Sequence, residues 1–144
     1  MQNQGAEISD CDDMPKQKAD GSRHQDVWVE HPQGRIFARI WSPTNDSHKS
    51  HSTEADCPIV LFHDSLGCVD LWRSFPAALS ASTGRAVIAY DRLGFGRSDP
   101  RGDQLTLDFV ATEAVSYFPA IRQQIGFDRF IALGHSVGGG MAVN

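Results

Sequence analysis

A serine set between glycines, Gly134-His135-Ser136-Val137-Gly138, follows the apolar run Phe130-Ile-Ala-Leu133 and leads into Gly139-Gly140-Met141-Ala142. A strand, a sharp turn and a helix in that order can lift a serine hydroxyl above a sheet, where it can attack a carbonyl carbon. The glycines have no Cβ to clash where the helix crosses the strand, and they tolerate unusual backbone angles. The N–H of Val137 opens the helix, where backbone dipoles favour negative charge, so it is a candidate oxyanion donor. A second loop, His63-Asp64-Ser65-Leu66-Gly67, follows another apolar run and can aim the Ser65 N–H at the same oxygen. A third, Asp91 to Asp99, holds Gly94 and Gly96 in a compact turn. There Asp91 and Arg92 are expected to organise the loop through charge-assisted hydrogen bonds rather than to act on a substrate.

Competing chemistries fit less well. A phosphate loop wants Lys and Ser/Thr after its last glycine, and Gly140 and Met141 stand there instead. Gly94-Phe95-Gly96 is followed by Arg97, Ser98 and Asp99, without the third glycine of a dinucleotide fingerprint. His48 and His51 lie in a polar stretch, Ser42 to Asp56, with no acid or thiol at a ligand spacing, so they belong to a solvated loop. The three cysteines, Cys11, Cys57 and Cys68, form no CxxC pair. They imply neither a disulfide framework nor a zinc site, and point to a reducing compartment, the cytoplasm. The residues call for no metal and no organic cofactor. The net charge of −5 offers no basic footprint for nucleic acid. No apolar run nears the ~20 residues of a membrane helix, and the N-terminus has no apolar signal core. A small-molecule substrate is the partner left; the oligomeric state is not legible.

The elements that must position these loops alternate along the chain. Residues 1–26 carry six acids, three bases and no apolar period, so they are expected to form a disordered tail ahead of a domain over 27–144. Val27 to Val29 and Ile36 to Trp41 suggest a hairpin turning at Pro32-Gln33-Gly34. Pro58 to His63, Ala86 to Tyr90 and Phe130 to Leu133 are short continuous apolar runs, typical of strands buried on both faces. Between them a first helix, capped by Ser74, should bury Phe75 and Leu79 and stop at Gly84. A second should run from Thr106 as cap through Leu107 to Ile125, kinked or split at Pro119. Crossovers through helices make a mostly parallel sheet with helices on both faces, and the hairpin makes an antiparallel N-terminal edge. The fold class is α/β.

The three loops in this register, H-D-S-L-G, D-R-L-G-F-G-R-S and G-H-S-V-G-G-G, resemble those of the α/β-hydrolase superfamily over about Val27 to Asn144. The resemblance implies a serine hydrolase acting on an ester-like or other carbonyl substrate through an acyl-enzyme on Ser136, with oxyanion donors at Val137 and Ser65. It implies a structural role for His63 and a strand order of 1-2-4-3-5 for the first five strands. Serine at the turn sets the chain apart from the dehalogenase and epoxide-hydrolase branches, which use a carboxylate there. Asp64 departs from the pattern, which usually has glycine; aspartate tolerates left-handed backbone, so the loop should still form. In this superfamily the triad acid and histidine follow the serine, yet Val137 to Asn144 contains neither. The chain is thus read as the N-terminal part of such a hydrolase, inactive by itself. The alternative is a non-catalytic binding or regulatory remnant of the same fold.

Overall fold

The computed structural model describes residues 23–43 and 57–144. Most of the expected tail, together with Cys11, His48 and His51, lies outside the described residues. Five strands form one sheet: β1 (Arg23–Val29), β2 (Ile36–Ser42), β3 (Ile59–Phe62), β4 (Val87–Tyr90) and β5 (Ile131–Gly134). Their spatial order is β1-β2-β4-β3-β5. β1 pairs antiparallel with β2 and β2 antiparallel with β4, whereas β3 runs parallel to both β4 and β5. The helices are α1 (Phe75–Thr83), α2 (Phe109–Thr112), α3 (Phe118–Ile125) and α4 (Val137–Ala142). This is the expected α/β architecture with an antiparallel edge.

Alternation along the strands sends side chains to two cores. Val60 and Phe62 of β3, with Ile88 and Tyr90 of β4, pack on Tyr117, Phe118, Ile121 and Met141. Ile59, Leu61, Val87 and Ala89 face the other way, onto Val69 and Ala77. Helices therefore cover both faces. All four residues of β3 and of β4 are buried, and each buried large side chain contributes about 1.5–3 kcal/mol. The two central strands anchor the loops that leave their C-terminal ends.

Expectations at the hairpin and at the first helix need correction. The hairpin begins at Arg23 rather than Val27, because Arg23, His24, Gln25 and Asp26 extend the ladder opposite Ser42, Trp41, Ile40 and Arg39. Strand pairing and the Asp26–Arg39 ion pair (2.5 Å) hold a polar segment that has no apolar face of its own. Phe75 is 43% exposed rather than buried, and stacks on Trp72 at the surface. The Ser74 side chain makes no capping bond; its carbonyl accepts the Ala78 N–H instead.

The second helix also starts late and is split. Asp108, not Thr106, occupies the cap position, and Leu107 is fully exposed. A π-helical turn, Glu113–Tyr117, separates α2 from α3. Pro119 stands in the first turn of α3. It lacks an N–H and its ring crowds the carbonyl four residues back, so the backbone widens to a five-residue repeat just before it. The split was foreseen; its π geometry was not. Gly84 (φ 66°) and Gly126 (φ 88°) end α1 and α3 in the left-handed conformation, as expected. Among the described residues, no helix is long and apolar enough to cross a membrane.

Candidate active site

The loops after β3, β4 and β5 all emerge at the C-terminal edge of the parallel strands, where open α/β sheets bind their ligands. At the end of β5 the chain turns so sharply that Ser136 adopts φ 55°, ψ −120°, a strained conformation for a residue with a side chain. The neighbouring glycines show what compels it. A Cβ on Gly134 would lie 2.0 Å from the Gly138 carbonyl oxygen, and one on Gly138 would lie 2.0 Å from that of Phe62. Helix α4 thus passes directly over β5 and β3, and the His135 N–H donates to the Phe62 carbonyl at 3.2 Å. Ser136 is left exposed at the crest.

The loop after β3 is set from below. His63 is buried, with 3% of its surface exposed. Its Nδ1 lies 2.8 Å from the Asp64 carbonyl oxygen, and its Nε2 accepts the Arg92 backbone N–H at 3.1 Å. Nδ1 must therefore carry the proton and Nε2 the lone pair. Burial first, and the Arg92 charge second, push His63 down to about 4. A neutral imidazole with both nitrogens engaged is a scaffold, not a base. This agrees with the structural role the resemblance implied.

Arg92 completes the scaffold. It is 3% exposed, and its guanidinium donates to the Asp64 carbonyl at 2.8 Å and the Ser65 carbonyl at 3.1 Å. In a trans peptide the carbonyl of Asp64 and the N–H of Ser65 point in opposite directions. With the carbonyl drawn down onto Arg92 and His63, the Ser65 N–H faces away from them, and no acceptor within the described residues takes it. The Val137 N–H, in the first turn of α4, is likewise left free of an acceptor there.

Asp91 organises the third loop, as expected. One carboxylate oxygen accepts the Val69 N–H at 2.5 Å and the other accepts the Arg97 N–H at 2.7 Å. Gly96 (φ 51°) makes room: a Cβ there would sit 2.1 Å from that second oxygen. The Ser98 hydroxyl donates to the Asp91 carbonyl and accepts the Phe37 N–H, tying the loop to β2. Burial raises the Asp91 carboxyl, while its two backbone donors pull the other way.

Beside these loops lies a cleft of about 300 Å³ lined by His63, Asp64, Gly67, Cys68, Leu71, Trp72 and His135. Its wall, the 3-10 turn Val69–Trp72, gives nothing away as a periodic pattern in the sequence. His135, flanking the serine, turns its Nδ1 toward Asp64 Oδ2 at 3.6 Å. That pair joins residues 71 positions apart and was not foreseen. Glu113 is a second unforeseen group. It is buried next to Tyr90 and Arg92, and neither its Oε1 nor the Tyr90 hydroxyl has a partner among the described residues. Burial pushes its carboxyl up to about 7. Among the described residues no group of three acids, histidines or cysteines is placed to hold a metal ion.

A sequence profile described as the alpha/beta hydrolase fold matches residues 58–144. The chain belongs to this family. A human relative, 1-acylglycerol-3-phosphate O-acyltransferase ABHD5, is 38% identical over 94 residues, which cover 65% of this chain and 26% of that protein. A proline iminopeptidase from Lactobacillus delbrueckii subsp. lactis is 33% identical over 86 residues, covering 60% of this chain and 29% of its own. The crystal structure of a Mycobacterium smegmatis proline iminopeptidase superposes with a TM-score of 0.63 at 27% identity, over 81% of this chain and 37% of that one. A predicted CIB-like hydrolase from Thermoplasma acidophilum gives 0.61 at 26% identity, over 85% and 56%. The chain spans little more than a quarter of the length of these curated relatives.

Proposed function

We propose that this chain is the nucleophile-bearing part of a serine hydrolase that acts on a small ester-like or other carbonyl substrate. The strained backbone of Ser136, wedged between two glycines that a Cβ would drive into neighbouring backbone, is the observation that carries the reading. Strain of this kind, worth about 1–3 kcal/mol, persists where surrounding structure over-determines it, and it concentrates at reactive sites. Ser136 Oγ attacks the carbonyl carbon and gives up its proton to a general base. The carbonyl oxygen becomes an oxyanion that accepts the N–H groups of Val137 and Ser65. Collapse expels the alcohol or amine with that proton and leaves an acyl-serine, which water cleaves to acid and free serine.

His63 cannot be the base, since both its nitrogens are engaged below the loop. In the family the acid and histidine follow the serine in the chain, and that arrangement completes the reaction. The names of the two curated relatives, an acyltransferase and a peptidase, both denote chemistry at an acyl carbon, which supports the same reading. The test is covalent labelling of the protein that carries this chain. A fluorophosphonate should modify Ser136, and Ser136→Ala should abolish both labelling and p-nitrophenyl ester turnover. Turnover surviving in the alanine variant would overturn the assignment. Labelling absent from the wild type would favour the non-catalytic reading.

A further inference from the structure

We propose that Asp64 is a specificity-determining residue of the cleft, and that it selects substrates carrying an ammonium or guanidinium group outside the reacting bond. This rests on the reading of Ser136 and its neighbouring loops as the active site. Asp64 immediately precedes the proposed oxyanion donor Ser65 and lines the cleft. Its Oδ1 accepts the Leu66 N–H at 3.1 Å. Its Oδ2 faces His135 Nδ1 at 3.6 Å, longer than an ordinary hydrogen bond, and the side chain is 40% exposed. Oδ2 therefore has both room and lone pairs for another donor.

The rest of the lining makes that carboxylate the dominant charge. Among the described residues no lysine or arginine lines the cleft; His63 is neutral, and Leu71 and Trp72 form an apolar wall. Arg92 lies beneath the loop, buried, and its guanidinium donates to the carbonyls of Asp64 and Ser65. Its charge offsets part of the Asp64 charge, but it is not part of the lining, so a ligand in the cleft meets the carboxylate first. An anion beside the site of a developing oxyanion opposes acyl transfer for a neutral substrate, by Coulomb repulsion that solvent at the 40% exposed side chain weakens without removing. A cation on the substrate cancels the repulsion and gains an ion pair. Discrimination built this way combines an attraction for one class with a penalty against the others. The substrate class is an apolar body lying against Leu71 and Trp72 with a cationic group at Asp64.

Equilibrium titration at micromolar protein, read by tryptophan fluorescence, tests this without requiring turnover. The probes are 3-phenylpropylammonium, 3-phenylpropanol and 3-phenylpropionate. The ammonium should bind at least tenfold tighter than the alcohol, and the carboxylate more weakly than either. Asp64→Asn should bring the ammonium and alcohol within twofold of each other. Asp64→Ser, whose hydroxyl can still accept the Leu66 N–H, should do the same with the loop turn intact. Trp72→Phe should remove the signal. Equal binding of ammonium and alcohol by the wild type would overturn the proposal. So would a preference that survives in both Asp64 variants, a signal that persists without Trp72, or no binding by any probe. Fluorophosphonate labelling of Ser136 is scored separately, so failure of one reading is distinguishable from failure of the other.

Discussion

Around Ser136 the decisive contacts are made by atoms that are absent. Gly138 and Gly140 occupy the same short helix, yet a Cβ on Gly138 would strike the Phe62 carbonyl whereas nothing lies within 4 Å of one on Gly140. Gly140→Ala should therefore stabilise by up to ~1 kcal/mol through helix propensity. Gly138→Ala should destabilise by about 3 kcal/mol, since backbone cannot step aside as a flexible side chain can. Urea melts of the two variants check the contrast, and equal effects would contradict the close crossing. Two buried groups add a pH signature. His63, lowered from 6.5 to about 4, contributes stability that is fully present above pH 6.5 and is lost as the pH falls toward 4. Glu113, raised from 4.5 to about 7, contributes stability fully present below pH 4.5 and lost as the pH rises toward 7. At ~1.4 kcal/mol per pKa unit each amounts to about 3 kcal/mol, and the opposite signs leave the wild type nearly level between pH 5 and 6.5. Glu113→Gln removes one side of the balance. Its stability relative to wild type should climb by about 2–3 kcal/mol from pH 5 to pH 7; a difference independent of pH would show that Glu113 is not held protonated. The serine and its glycines were legible because their spacing is local. Glu113 was not, because its burial depends on a π turn that re-aims the side chain. Neither was the Asp64–His135 pair, which exists only once β3 and β5 lie side by side.

Elements here are joined less by surface charge than by buried backbone groups that borrow a side chain. Asp26, Arg39, Asp70 and Arg97 form a chain of ion pairs across β1, β2, the 69–72 turn and the third loop. The Asp70 side chain is 51% exposed, and pairs of that kind typically contribute no more than ~1 kcal/mol. Asp91 binds the same turn and loop from inside, at 1% exposure, where an orphaned N–H costs about 1–3 kcal/mol. Asp91→Asn keeps the shape but turns an amide donor toward one of the two N–H groups. It should lower stability by about 1–3 kcal/mol in a urea melt, against less than ~1 kcal/mol for Asp70→Asn. The reverse ranking would mean that the surface network, not the buried carboxylate, holds the turn. Strand and helix types were legible from apolar runs, with Gly84 and Gly126 as stops. The ends were not. Residues 23–26 are polar, and join β1 through cross-strand partners rather than through any pattern of their own.

At the scale of the whole molecule the observed order β1-β2-β4-β3-β5 leaves β5 bonded to β3 on one side, with no strand beyond it among the described residues. The parallel order could be anticipated from crossovers and resemblance, and so could this edge. Ile131 is 43% exposed and Leu133 only half-buried, and the strand Ile131–Gly134 carries no charge, proline or bulge to blunt it. Such an edge is a template for pairing with a second chain. The 144-residue chain alone should therefore self-associate as its concentration rises, through β5 rather than through the cleft. Ile131→Lys places a charge on the exposed edge without entering either core, and should shift the chain toward monomer. Leu66→Lys, on an 86% exposed side chain in the loop after β3, should leave association unchanged. Analytical ultracentrifugation from ~5 to ~200 µM reads all three proteins. The edge-pairing account fails if the wild type stays monomeric over that range, or if Leu66→Lys disperses it while Ile131→Lys does not.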